Sequence, residues 1–184
     1  VLDDTLNVLG RANQEFTQYF PKPGWVEHDP TEILASVEQA LNRAIDDAGA
    51  MPEEIACIGI TNQRETVVVW DKATKTAVHR AIVWQDRRTT DICTALKETG
   101  VQPMVREKTG LLLDPYFSGT KIKWILDETK THAAAKQGEV ICGTIDSFLV
   151  WHLTDGQTHV TDPSNACRTL LMDLKSLQWD DALL

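Results

Sequence analysis

Residues Ile55-Ala56-Cys57-Ile58-Gly59-Ile60-Thr61-Asn62-Gln63-Arg64-Glu65-Thr66-Val67-Val68-Val69-Trp70 set two apolar runs on either side of a polar string. Ile55–Ile60 has the length and branching of a buried strand, and Thr66–Trp70 follows at once as a second. Past a polar turn at Asp71–Lys75, the run Ala81–Trp84 supplies a third strand. This part of the chain therefore reads as a strand cluster with polar residues at its edges.

Working outward, the clearest helix start lies upstream. Asp29 suits an N-cap, Pro30 the first helical position where its missing N–H costs nothing, and Glu32 the reciprocal half of a capping box. Ile33, Leu34, Val37, Ala40, Leu41, Ala44, Ile45 and Ala48 then recur at helical spacing, and Gly49 can close the helix in a left-handed conformation. Pro21, Pro23 and Gly24 break regular structure before it, and the opening residues suit a strand, a tight turn at Asp3-Asp4 and a second strand. Downstream, Asp86–Glu98 and Lys121–Asp127 read as helices. Val140–Cys142 reads as a strand running into Thr144-Ile145-Asp146, Ser147–His152 as a short amphipathic helix, Arg168–Leu174 as a strand, and Leu177–Leu184 as the opening of another helix. Alternating helices and strands point to a single α/β domain built on a sheet, without internal repeats or a Gly/Ser linker.

The chain has 184 residues, enough for one substantial core, and its 27 acidic against 18 basic residues give a net charge of −9. That balance disfavours nucleic acid as a partner, but not anionic small molecules, which local amides and helix N-termini can hold. Cys57, Cys93, Cys142 and Cys167 contain no C-x-x-C pair, and the histidines no H-x-x-x-H pair, so the sequence expectation is no imidazole or thiolate metal site. No apolar run is long enough to span a bilayer and no signal segment opens the chain, so the default setting is cytoplasmic. Neither G-x-x-x-x-G-K-[ST] nor G-x-G-x-x-G occurs, so nothing here announces nucleotide binding.

Four residues are candidates for chemistry. Arg64 and Glu65 are adjacent; on an extended segment they point in opposite directions, so they converge on one ligand only if the backbone turns there. A guanidinium and a carboxylate together suit a polyol, donating to hydroxyl oxygens and accepting hydroxyl protons. From the dipeptide alone, a surface ion pair is the commoner outcome. Trp84, beside Gln85-Asp86-Arg87-Arg88, offers an apolar face for the carbon side of a small polyol, with a plain core role as the alternative. Tyr116 lies in the turn Asp114–Lys121, from which its phenol can reach a ligand or simply pack half-buried.

The strings holding these residues resemble a known family. Pro21–Pro30, Gly59–Thr66, Ala81–Gln85, Asp114–Lys121, Gly143–Asp146 and Thr161–Thr169 are similar, in order, to the FGGY carbohydrate kinases, in particular their glycerol kinase branch. Pentulose and hexulose kinases usually carry a Ser-Gly-Gln-type string where Asn62-Gln63-Arg64-Glu65 stands, which favours the glycerol branch. The resemblance implies an actin-like, ribonuclease-H-like fold and a protein that phosphorylates glycerol to glycerol 3-phosphate with ATP and Mg2+, as a possible homo-oligomer. Glycerol would then fall on Arg64 and Glu65 at its hydroxyls, Trp84 at its carbon face and Tyr116 through a hydrogen bond.

It also implies that residues 1–184 form an incomplete N-terminal domain. The first strand, its phosphate loop, the aspartate base and the nucleotide domain would lie outside it, and the chain alone would not turn over glycerol. The alternatives are a non-catalytic polyol-binding or interaction module derived from such a kinase, or a kinase for another polyol or a ketose.

Overall fold

The computed structural model describes every residue from Val1 to Leu184. Its centre is strand β3, Val67–Asp71, which pairs antiparallel with β4, Ala81–Ile82, on one side and with β5, Val140–Thr144, on the other. The sheet continues outward from β4 through β2, Glu27–His28, to β1, Gln18–Tyr19. Val67, Val68, Val69 and Trp70 are each 0% exposed, because both faces of β3 are covered. Successive side chains of a strand point to opposite faces. Val68 and Trp70 therefore pack with Ile33 of helix α1, Pro30–Ala48, and with Ile145, Phe148, Leu149 and Trp151 of helix α6, Ile145–Leu153. Val67 and Val69 pack on the other face with Ile82, Val140 and Ile125 of helix α4, Ser118–Thr129. Each such aliphatic side chain stabilises the fold by about 1.5–3 kcal/mol through burial.

Local signals specified α1 closely. Asp29 caps it by accepting from the Thr31 amide at 2.9 Å, and Gly49 ends it at φ 63°. Glu32 does not complete a capping box: it reaches instead to the Tyr19 hydroxyl at 2.5 Å and the Thr17 amide at 3.0 Å, tying α1 to the edge of the sheet.

Elsewhere the structure departs from the sequence pattern. Ile55–Ile60 is not a strand, and Ile58 and Ile60 are exposed. Branched residues favour an extended backbone, but a strand also needs a ladder partner: β3 is bonded on both sides, and this segment does not join the outer side of β5 or β1. Ile55 and Ile58 instead border an apolar crevice with Leu2, Leu9, Leu41 and Ile45. Only the bridge Leu2↔Val8 survives of the expected N-terminal strand pair.

The helix expected from Asp86 begins later, as α2, Thr90–Glu98. Asp86 is diverted by a buried charge network: its carboxylate accepts from the Val26 amide at 2.6 Å and the Arg88 amide at 2.8 Å. The Arg88 guanidinium, fully buried, bonds Asp86 and Glu27 at 2.8 Å each and lies over the Trp25 and Trp124 rings at 3.8 and 4.6 Å. These charges are tolerated in the interior because they are paired and hydrogen-bonded, except at Arg88 Nη1, which is buried without a partner.

Three short helices stand outside the expected elements, α3, Gln102–Thr109, α5, His132–Lys136, and α7, Pro163–Ala166, although α7 opens on an Asp162 cap and Pro163 just as α1 does on Asp29 and Pro30. The final residues form a two-strand hairpin of β6, Met172–Asp173, and β7, Gln178–Trp179, rather than a long strand and a helix. Asp173 nucleates the connecting turn by accepting from the amides of Lys175 and Ser176.

Candidate functional site

The antiparallel register Val67↔Ile82 places the residues just before β3 beside those just after β4, at one end of the sheet. The Trp84 amide accordingly donates to the Thr66 hydroxyl at 3.2 Å. Helix α4 starts at the same end, where the Ser118 hydroxyl, fully buried, donates to the Glu65 carbonyl at 3.1 Å. Its first turn also docks on the segment after α7, with Ser118 and Gly119 amides donating to the carbonyls of Arg168 and Thr169 at 3.4 and 2.7 Å. Four stretches distant in sequence thus meet through backbone and hydroxyl bonds.

Glu65 has φ 67°, in the left-handed region that side chains other than glycine rarely adopt. The backbone turns at this point, which is the condition for neighbours Arg64 and Glu65 to serve one ligand. The turn carries the Glu65 side chain inward, leaving the residue 3% exposed, while Arg64 remains exposed. Glu65 Oε1 accepts from Arg168 Nε at 2.5 Å, and no hydrogen bond within the chain engages Oε2. Burial works against the Arg168 charge, but its hydrogen bond to the Glu65 carboxylate, together with Tyr116, holds the guanidinium above its ordinary pKa.

Arg168 also lies over the rings of Tyr116, at 5.5 Å, and Phe117, at 4.9 Å. Tyr116 meets Trp84 edge-on with ring centroids 5.5 Å apart, and both are half-buried. The chain of contacts Glu65, Arg168, Tyr116, Trp84 therefore joins three of the four residues singled out from sequence. Arg64 stands at the same turn but touches none of them through a hydrogen bond or ion pair. Arg168 is not among the residues the sequence singles out, although it lies within the string Thr161–Thr169. No local spacing marks a partner 103 positions from Glu65.

The arrangement offers one free carboxylate oxygen, two guanidinium groups, a phenol and an indole face. Such a set accepts hydroxyl protons, donates to hydroxyl oxygens and covers a short carbon skeleton. Its geometry depends on the close approach at Gly119, where a Cβ would sit 2.9 Å from the Thr169 carbonyl oxygen. Gly119→Ala is expected to destabilise the fold by about 1–3 kcal/mol, as overpacking does, and to weaken ligand binding by pushing Arg168 away. Denaturation midpoints and ligand titrations check this, and a variant unchanged in both would show the approach to be slack.

The whole chain, residues 1–184, matches the model of the FGGY family of carbohydrate kinases, N-terminal domain. It is 56% identical over 185 aligned positions to a glycerol kinase of Shewanella baltica (strain OS195), and 55% to glycerol kinase 2 of Thermotoga maritima. All of this chain is covered in both cases, and it spans 37% of the length of those relatives. Among solved structures, Plasmodium falciparum glycerol kinase with ADP superposes with a TM-score of 0.91 at 37% identity, over 99% of this chain and 36% of that one. A xylulose kinase from Lactobacillus acidophilus superposes with a TM-score of 0.78 at 24% identity, over 93% of this chain and 33% of that one.

Proposed function

The chain belongs to the FGGY family of carbohydrate kinases, with their actin-like α/β fold, and from that premise we propose that it supplies the polyol-binding part of an ATP-dependent glycerol kinase. The observation that carries this reading is the turn at Glu65, which brings a carboxylate with one free oxygen against Arg168, beside Tyr116 and Trp84. Identity of 56% to a glycerol kinase over the whole of this chain supports glycerol as the acceptor.

In this reading Glu65 accepts from a hydroxyl through Oε2, Arg64 donates to hydroxyl oxygens from the exposed side of the turn, and the Tyr116 phenol adds a bond. Trp84 covers the carbon chain and excludes water from it. Holding the triol in one orientation turns one primary hydroxyl toward the phosphoryl donor, and positioning of this kind lowers the barrier by removing orientational freedom beforehand. MgATP supplies the phosphoryl group that the oriented hydroxyl attacks. Residues 1–184 form no group of three or more His, Cys, Asp or Glu side chains suited to a metal ion. Mg2+ in a phosphoryl-transfer site needs only one or two carboxylates beside waters and the nucleotide's phosphates, and would enter the site with ATP. The proton acceptor and the nucleotide are assigned, as part of the proposal, to residues outside Val1–Leu184.

The test is a substrate panel on the full-length protein with MgATP, comparing glycerol with other polyols and ketoses, alongside Arg64→Ala. Glycerol is expected to be the preferred acceptor, and the substitution to raise its KM about tenfold or more, since a charged donor is lost. A faster reaction with a ketose would replace the substrate assignment. Unaltered glycerol kinetics in Arg64→Ala would remove that residue from the site.

A further inference from the structure

Lys121 lies in the first turn of α4 with its side chain fully buried, 0% exposed, and paired with no carboxylate. Its Nζ folds back over the start of the helix and donates to the carbonyl oxygens of Tyr116, at 2.5 Å, and Phe117, at 3.3 Å. Two physical terms oppose a cation at this place. Burial penalises the charge, and the N-terminal end of a helix already carries positive potential. An apolar side chain of similar length would fill the same space without either penalty. What the ammonium adds is a grip on the dipeptide that presents the Tyr116 ring to Trp84 and to Arg168. The other side of the same residue is held too, since the Tyr116 amide donates to Asp114 Oδ1 at 2.9 Å.

We propose that Lys121 is a positioning residue of the polyol site, clamping the Tyr116 and Phe117 carbonyls so that the Tyr116 phenol, and the Arg168 guanidinium that lies over the Tyr116 and Phe117 rings, face the ligand. This rests on the reading of the site as a glycerol site. Lys121 touches neither substrate nor reacting atoms; it acts through Tyr116.

The clamp has a pH signature. The carboxylates of Asp86, Glu65 and Asp114 favour its charge, while the Cys93 thiol, which burial keeps from ionising, stays neutral at about pH 7. Burial nevertheless pulls its pKa from 10.5 down to about 7. As pH rises through about 7 the ammonium becomes an amine, its bonds to the two carbonyls weaken, and glycerol affinity falls. Stability moves the other way. Between about 7 and the unfolded value of 10.5 the unfolded chain binds the extra proton, so this group's contribution to stability increases with pH. A lysine that merely supported the fold would not produce opposite trends in affinity and stability.

The experiment measures glycerol dissociation constants on the full-length protein without nucleotide, by intrinsic tryptophan fluorescence. Lys121→Met is expected to weaken glycerol about tenfold while the KM for ATP stays within about twofold, and Lys121→Arg to recover part of the loss. In the wild type the glycerol constant is expected to rise from about pH 6 to about pH 8.5, with that rise absent in Lys121→Met. A folded Lys121→Met with wild-type glycerol affinity, or a wild-type constant that stays flat over the same range, overturns the assignment. Should Lys121→Met fail to fold, the wild-type titration decides alone. A wild type that binds no glycerol at any pH overturns the polyol reading as well, whereas glycerol binding with a flat profile overturns only the role of Lys121.

Discussion

Replacing Glu65 with alanine in the full-length protein is expected to lower kcat/KM for glycerol about 10²- to 10³-fold, the largest catalytic effect among the residues described here. Two losses combine. The acceptor at Oε2 disappears, and a charged hydrogen bond to a hydroxyl is worth about 1.5–3 kcal/mol. Arg168 also loses its partner at 2.5 Å. Breaking a buried pair costs about 3–5 kcal/mol, but the Arg168 side chain keeps 26% of its exposure, so water recovers part of that.

Alanine keeps the unfavourable φ of 67° at this turn, so the backbone gains no relief to offset either loss. Glu65→Gln, which retains the shape and one acceptor oxygen, should lose less. Steady-state kinetics with a coupled ADP assay separates the variants. A value for Glu65→Ala within about threefold of the wild type would place glycerol elsewhere.

The largest effect on stability is expected at Trp70, where Trp70→Ala should cost about 3–5 kcal/mol. The side chain is fully buried on the β3 face that packs against α1 and α6, with Phe148, Trp151 and His159 rings 5.5, 6.5 and 5.4 Å away. Truncation would leave a large cavity among rigid aromatic neighbours that cannot collapse into it. Its indole Nε1 has no hydrogen-bond partner. Trp70→Phe therefore removes an unsatisfied buried donor along with some volume, and should cost distinctly less than alanine. Denaturant midpoints of the full-length variants give the comparison, and a shift for Trp70→Ala worth less than about 1 kcal/mol would contradict the packing described. Because β3 bonds to both β4 and β5, loosening it should also disturb the end of the sheet where Thr66 holds Trp84.

The sequence alone determined whatever depends on residues close along the chain. The Asp29 cap, the helical spacing from Ile33 to Ala48 and the left-handed Gly49 specify α1, because each of these interactions closes within one or two helical turns. The run Thr66–Trp70 reads as a strand from its branched residues and does form one, whereas the same local pattern at Ile55–Ile60 does not. The polar string at Arg64-Glu65, with Trp84 and Tyr116, was legible through its resemblance to a family.

Tertiary structure decided what depends on partners far apart. Ile55–Ile60 has a strand's composition but no ladder, since composition cannot say which edges are free. Glu32 chose Tyr19 over its own helix, and Asp86 chose Val26 and Arg88 over starting α2, because a buried polar group goes to whichever partner satisfies it once the chain is packed. The turn at Glu65, its pairing with Arg168 and the fold-back of Lys121 onto Tyr116 arise where four distant segments meet at one end of the sheet. Local spacing carries no trace of them, since charges and carbonyls select one another by position in space.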